Sequence, residues 1–221
     1  MKVLVYVEGD GDKLALGALF RASIEQGNKA RVGISFHQMR GKSGILKDLA
    51  LKAANHLKDN PGDYVFALPD LYPMGDYDRT EWAHRSFEQL KAHLLERFHK
   101  EADRSGLPDE VRSHYRVHCL KHDLEVLLLA APDVLRQRLK TEDALEKNWR
   151  KPVEDQNDKE PPKRVVERLF MKYRKRRYDE TTDASWILER ASIKNLCAAC
   201  SQNFKPFFTE LDRLSKGEPL E

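Results

Sequence analysis

Residues 5–13 read VYVEGDGDK. Val5, Tyr6 and Val7 continue an apolar run that begins at Val3. A β-rich run this short, ended by Gly9 and Gly11, predicts a buried strand of an α/β sheet. The chain leaves that strand through Glu8, Asp10 and Asp12 before Leu14, Ala15 and Leu16 resume. Acidic residues are common in turns, and an aspartate at a helix start acts as a cap. For Asp10 and Asp12 taken singly, capping is the simpler account. It explains Glu8 poorly, because Glu8 directly follows a buried strand and precedes glycine. The glycines are expected to let the backbone turn sharply there.

The pattern repeats outward from this stretch. Leu14, Ala18 and Leu19 mark a helix over 12–27, with Gly27 near its stop. Residues 31–39 and 64–70 are the next strand candidates. Between them RGKSG (40–44) turns into a helix with Leu46, Leu49, Ala53 and Leu57 inward. Phe87, Leu90, Leu94 and Phe98 predict a helix over 80–106. Residues 115–123 form a fourth strand candidate, and 123–139 read as helix broken at Pro132. Strands alternating with helices predict a mainly parallel, Rossmann-like α/β sheet flanked by helices. Residues 146–162 are polar with three prolines and read as a loop, and 163–215 read as mainly helical. The expected division is an α/β core over 1–145. A basic loop and helical extension over 146–221 then packs on it.

The 221 residues suit one large domain or one domain with an appendage. A net charge of +3 does not by itself imply nucleic acid. No apolar run approaches the roughly 20 residues of a membrane helix, and no signal peptide is expected. Three cysteines, an odd number, point to reduced thiols and a cytoplasmic location. Cys197 and Cys200 have zinc-type spacing but no second pair, so they read as structural. RGKSG would need a glycine at 36 to be a phosphate loop, and Phe36 stands there. Lys42 remains a minor phosphate-contact candidate near the carboxyl edge.

Open parallel sheets bind ligands outside the carboxyl ends of their strands. Glu8 and Asp12 follow the first strand, Asp70 ends the third, and Asp123 and Glu125 follow the fourth. If these strands are neighbours, four or five carboxylates converge. Such charge repels itself unless a cation is bound or some groups stay protonated. Oxygen ligands suit Mg²⁺ or Mn²⁺. Glu8, Asp12, Asp70 and Glu125 are the candidate metal ligands. Glu8, Asp70 and Glu125 are also the candidate catalytic carboxylates. Glu8 is alternatively a metal-free acid or base. His122 is a candidate proton donor or phosphate contact, although a locally hydrogen-bonded histidine explains it as well.

Val7-Glu8-Gly9 with Asp12 resembles the first motif of TOPRIM domains, especially those of OLD-type nucleases. The usual second motif, Asp-x-Asp, is here Asp70-Leu71-Tyr72. That departure is similar to a bacterial TOPRIM-like family catalogued as a domain of unknown function. The likeness extends to Asp70-Leu71-Tyr72-Pro73 and to His122-Asp123-Leu124-Glu125-Val126-Leu127-Leu128. It continues through Pro161-Pro162-Lys163-Arg164, Tyr173-Arg174-Lys175 and Cys200 to Phe204. The resemblance implies a TOPRIM fold and a Mg²⁺- or Mn²⁺-dependent nuclease or nucleotidyl-transfer activity. It also implies bacterial anti-phage defence with an ATPase partner. Tyr72 leaves a second metal site open, for which Asp76 and Asp78 are candidates.

Residues 161–180 hold Lys163, Arg164, Arg168, Lys172, Arg174, Lys175, Arg176 and Arg177, interleaved with Phe170, Tyr173 and Tyr178. Charge for the phosphate backbone and rings for unstacked bases suit a nucleic acid, DNA or RNA. Lys163, Arg164, Lys172, Arg174 and Lys175 are the candidate contacts. A solvated helix face is the plainer reading of such a run. The competing function is a degenerate TOPRIM-fold binding or regulatory subunit of an ATPase complex. A homo-oligomer is compatible with either.

Overall fold

The structure is a computed structural model and describes residues 1–72, 75–156 and 160–220. Pro73 of the Asp70-Leu71-Tyr72-Pro73 motif and part of the loop expected over 146–162 lie outside them. Four strands, β1 (Lys2–Val7), β2 (Gly33–Gln38), β3 (Tyr64–Ala67) and β4 (Tyr115–Val117), form one sheet in the order β2-β1-β3-β4. Every pairing is parallel. The helices are α1 (Asp10–Leu19), α2 (Arg21–Lys29), α3 (Lys42–Asp59), α4 (Phe87–Ser105), α5 (Asp109–Arg112), α6 (Glu125–Leu129), α7 (Pro132–Leu139), α8 (Pro162–Arg174), α9 (Ser185–Arg190), α10 (Ile193–Ala199) and α11 (Phe204–Ser215). No helix among the described residues is long and apolar enough to cross a membrane.

Side chains alternate across a strand, and β1 uses both faces. Val3, Val5 and Val7 enter one buried cluster with α1 and α6–α11, while Leu4 and Tyr6 enter another with α3 and α4. The sheet is thus covered on both faces, which is why β1 reads as a continuous apolar run. The C-terminal helices share the first cluster. Phe204, Phe207, Leu211 and Leu214 of α11 are fully buried there, and Phe207 meets Phe20 edge-on at 5.6 Å.

Several expected elements are shorter or broken. The helix expected over 12–27 begins at Asp10 and splits at Phe20, whose ring is buried against Phe36, Phe204 and Phe207. The helix expected from 80 starts at Phe87, where Ser86 Oγ accepts the Gln89 N–H at 3.3 Å. The strand expected over 115–123 stops at Val117, with one further bridge between Asp70 and Leu120. Pro69 has no N–H to continue the ladder, although its carbonyl accepts from Leu120. Pro132 does break the helix, as expected, and occupies the first turn of α7.

Candidate functional site at the carboxyl edge of the sheet

After β1 the chain enters α1 on one face of the sheet. After β3 it leads to α4 on the other face. Because β1 and β3 are neighbours, the two connections diverge and leave a crevice at their carboxyl ends. Glu8 and Asp70 flank it. Glu8 Oε1 accepts the Asp70 backbone N–H at 3.0 Å, and the Lys42 backbone N–H also bonds this carboxylate. Burial pushes the Glu8 carboxyl up to about 7, with the Asp12 charge adding, against the pull of these bonds and of the Lys42 ammonium. Asp70 is raised well above the ordinary aspartate value, first by burial and then by Glu8, Asp12, Asp123 and Glu125. It therefore feels every other carboxylate that the strand ends deliver.

Asp12 sits in the first turn of α1, where Oδ2 accepts the Gly9 N–H at 2.9 Å. It is a cap and a member of the cluster at once. Burial raises it to about 6, and Glu180 adds to the rise. Beyond β4, Asp123 Oδ2 accepts the Lys163 N–H at 3.1 Å, and burial lifts this carboxyl to about 6. Glu125 opens α6 with 0% of its surface exposed. Burial, then Asp123 and Glu180, push it to about 8. Among the described residues Asp123 Oδ1 has no hydrogen-bond partner. The Tyr178 hydroxyl is buried beside Glu125 and hydrogen-bonds its carboxyl.

Two cations face this set. Lys163 Nζ donates to Glu180 Oε2 at 2.8 Å. Lys42, only 6% exposed, donates from Nζ to the Leu71 carbonyl at 2.7 Å and lies 3.2 Å from His84 Nε2. It sits at the start of α3, behind Gly41 at φ +76°, a conformation that glycine adopts without strain. The minor candidate from RGKSG is thus at the centre of the edge. The expected sharp turn is found at Glu8 and Gly9, between β1 and α1, but neither Gly9 nor Gly11 has a positive φ there. Gly11 is small for another reason: a Cβ there would stand 2.7 Å from Glu180 Cγ.

His122 is buried, and burial, then Lys121, lowers it to about 4, so the ring is neutral at physiological pH. A hydrogen bond with the Glu154 backbone works against this lowering, so the contact found for the ring comes from a segment distant in sequence. Its ring stacks on Tyr72 with centroids 4.7 Å apart. Asp78 is paired with Arg85 on the surface. No spacing in the chain pointed to Tyr178 or Glu180 as neighbours of the strand-end carboxylates.

The basic stretch is largely self-neutralised. Arg164 pairs with Glu167, Arg168 with Glu160, Lys172 lies 3.7 Å from Asp143, and Arg176 holds the buried Asp183. Arg174 is half-buried, with Nε unpartnered among the described residues. Lys175 and Arg177 are exposed. Val165, Val166, Leu169 and Phe170 form the buried face of α8, as their spacing predicts.

Among the described residues no three His, Cys, Asp or Glu side chains stand together as a ready metal cage. The donor type, carboxylate oxygen, is that of a hard divalent cation, and carboxyls raised by burial and then by one another are relieved by such an ion.

A family model described as "Domain of unknown function (DUF4276)" matches residues 7–212. No curated protein matches the chain. Solved structures similar to it include the C-terminal region of the Xanthomonas campestris pv. campestris OLD protein. The mercury-phased structure has 15% identity and a TM-score of 0.45, covering 96% of this chain and 95% of that one. The iodine-phased structure has 16% identity and a TM-score of 0.42, covering 90% and 92%.

Proposed function

The chain belongs to the DUF4276 family, and on that premise we propose that it is a metal-dependent nuclease that cleaves phosphodiester bonds. The observation that carries this reading is the crowding of acids at the carboxyl edge: Asp70, held by Glu8 through its N–H, is raised by burial and then by Glu8, Asp12, Asp123 and the fully buried Glu125. Mg²⁺ or Mn²⁺ bound there supplies charge to a phosphate oxygen and acidifies a water molecule. Glu8, Asp12, Asp70 and Glu125 would hold it. Alternatively Glu8 stays free of the metal and, with its carboxyl at about 7, takes or gives a proton near neutrality. His122, being neutral, serves as a hydrogen-bonding group rather than a charged acid. Lys163 is the cation best placed to meet a phosphate beside the carboxylates. Arg164, Lys172, Arg174 and Lys175 would follow the polynucleotide backbone, each first giving up its internal partner where it has one. Resemblance to OLD-type nucleases supports a place in anti-phage defence beside an ATPase partner.

A second reading, a regulatory subunit with a silent site, is favoured by one observation. Tyr72, where the motif usually has an aspartate, stacks on His122 and offers no carboxylate. Plasmid and RNA cleavage by the purified chain with Mg²⁺ or Mn²⁺ separates the two. Cleavage is expected in the wild type and its loss in Glu8→Gln and Asp70→Asn. Activity that persists in a chelator or in both variants overturns the nuclease assignment at this edge. A wild type that binds Mn²⁺ but cleaves neither polymer favours the second reading.

A further inference from the structure

We propose that the free edge of β2 pairs with the β2 edge of a second copy of this chain, antiparallel and centred on Phe36. The pairing uses a side of the sheet that the nuclease reading leaves unassigned, and it stands or falls independently of that reading.

The strand order β2-β1-β3-β4 leaves two free edges, and they differ. β4 is only Tyr115–Val117, and its central Arg116 pairs with Glu210, which also holds His118. Short length and charge are what keep an edge from adding another chain. β2 has neither protection. It runs from Gly33 to Gln38 as GISFHQ, with no lysine, arginine, acid or proline.

A strand in a parallel ladder turns alternate residues to either side. The Gly33 N–H donates to the Met1 carbonyl at 3.1 Å, and the Met39 N–H to the Val7 carbonyl at 2.8 Å. Gly33, Ser35, His37 and Met39 therefore face β1, while Ile34, Phe36 and Gln38 turn their N–H and C=O groups outward. Among the described residues no hydrogen bond reaches these outward groups. Their strand is already ordered: the Phe36 ring stacks on Phe20 at 5.7 Å, and Ile34 is buried in the same cluster.

Phe36 is the midpoint of the outward set, so the edge is complementary to itself. About a two-fold axis there, Phe36 meets Phe36 of the second copy, and each Ile34 meets a Gln38. Each of these pairs exchanges two N–H···O bonds, which gives every outward N–H of both copies a carbonyl. Ser35 then lies opposite His37 of the second copy. With no acid, lysine or arginine in the strand, nothing within it repels its own copy. The antiparallel arrangement points the carboxyl edges of the two copies in opposite directions, so each keeps its own crevice.

Sedimentation equilibrium of the full chain over a range of concentrations tests this. The wild type is expected to reach twice the monomer mass. Gln38→Pro removes only an outward N–H, because the ladder to β1 uses His37 and Met39, and circular dichroism checks that it is folded. It is expected to weaken association at least roughly tenfold, while Gln38→Ala associates as wild type does. Register is read by cross-linking. The double variant Ser35→Cys/His37→Cys is expected to form a disulfide-linked dimer under mild oxidation, far more than either single variant, because directly opposed positions lie within disulfide reach. A wild type that stays monomeric at every concentration overturns the proposal. So does a dimer that Gln38→Pro leaves intact and that the double variant does not cross-link.

Discussion

Glu125→Gln should make the metal-free protein more stable at high pH. A carboxyl normally near 4.5 is held at about 8 in the fold, chiefly by burial and then by Asp123 and Glu180. A carboxyl with a raised pKa binds its proton more tightly folded than unfolded. Stability is therefore complete below the unfolded value and is lost as pH rises from about 4.5 through about 8. At 1.36 kcal/mol per pH unit, the penalty is roughly 3 kcal/mol at pH 7 and roughly 5 kcal/mol above pH 8. Glutamine is neutral throughout and nearly the same shape. Its oxygen can keep the Tyr178 hydroxyl as partner, and the cost of about 1–3 kcal/mol for an unmet amide hydrogen is largely matched by that of the acid's own hydroxyl. The variant should match wild type at pH 5 and exceed it by roughly 3–5 kcal/mol at pH 9. For a chain of this size that is about 10 °C in melting temperature. Urea unfolding of both proteins in a chelator, from pH 5 to 9, is the assay. A variant less stable than wild type at every pH, or a difference that does not change with pH, would refute the charge-crowding argument.

Other consequences follow from the same contacts. Binding of Mn²⁺ must displace protons held by Glu125 and in part by Glu8 at neutral pH. Its calorimetric heat at pH 7 should therefore vary with the ionisation heat of the buffer, and affinity should rise from pH 6 to 9; a buffer-independent heat would count against these ligands. Asp183→Ala strips the partner from Arg138 and Arg176 at a fully buried site and should cost about 3–5 kcal/mol in urea unfolding. A loss below about 1 kcal/mol would mean that the two guanidinium groups find water or other acids. Gly27→Ala would set a methyl group 2.6 Å from the Val32 carbonyl oxygen and should destabilise by about 1–3 kcal/mol. Gly17→Ala, with open space around it inside α1, should instead gain about 0.5–1 kcal/mol, and equal effects at both sites would refute the steric account.

The strand periodicity was legible because burial on both faces leaves an apolar run, and β1 is buried on both. Glu8 and Asp70 stood out as acids at strand ends, and both lie at the crevice. The helix over 80–106 was misjudged at its start because Thr80 to Arg85 carry helix-compatible residues, and only the Ser86 cap marks where the helix begins. The basic stretch was legible as composition and misleading as a surface. Glu160 and Asp143, which pair with it, lie outside the run of charges, while Glu167 sits inside it and Asp183 just beyond it. Lys42 was visible only as part of a failed phosphate loop. Its burial beside Glu8 depends on α3 starting where β2 ends next to β1.

By itself the sequence determined the α/β alternation, the buried strands and the acids that follow them, because periodicity and turn chemistry act between residues close along the chain. The tertiary structure alone decided that β3 lies between β1 and β4, which sets Asp70 on the Glu8 carboxylate and within reach of the Glu125 charge. It also decided that Gly11 is small to admit Glu180 and that Lys163 answers the acids of β4. Those outcomes depend on distances between segments far apart in the chain, and on which charges lose their water together. Neither quantity is written in local spacing.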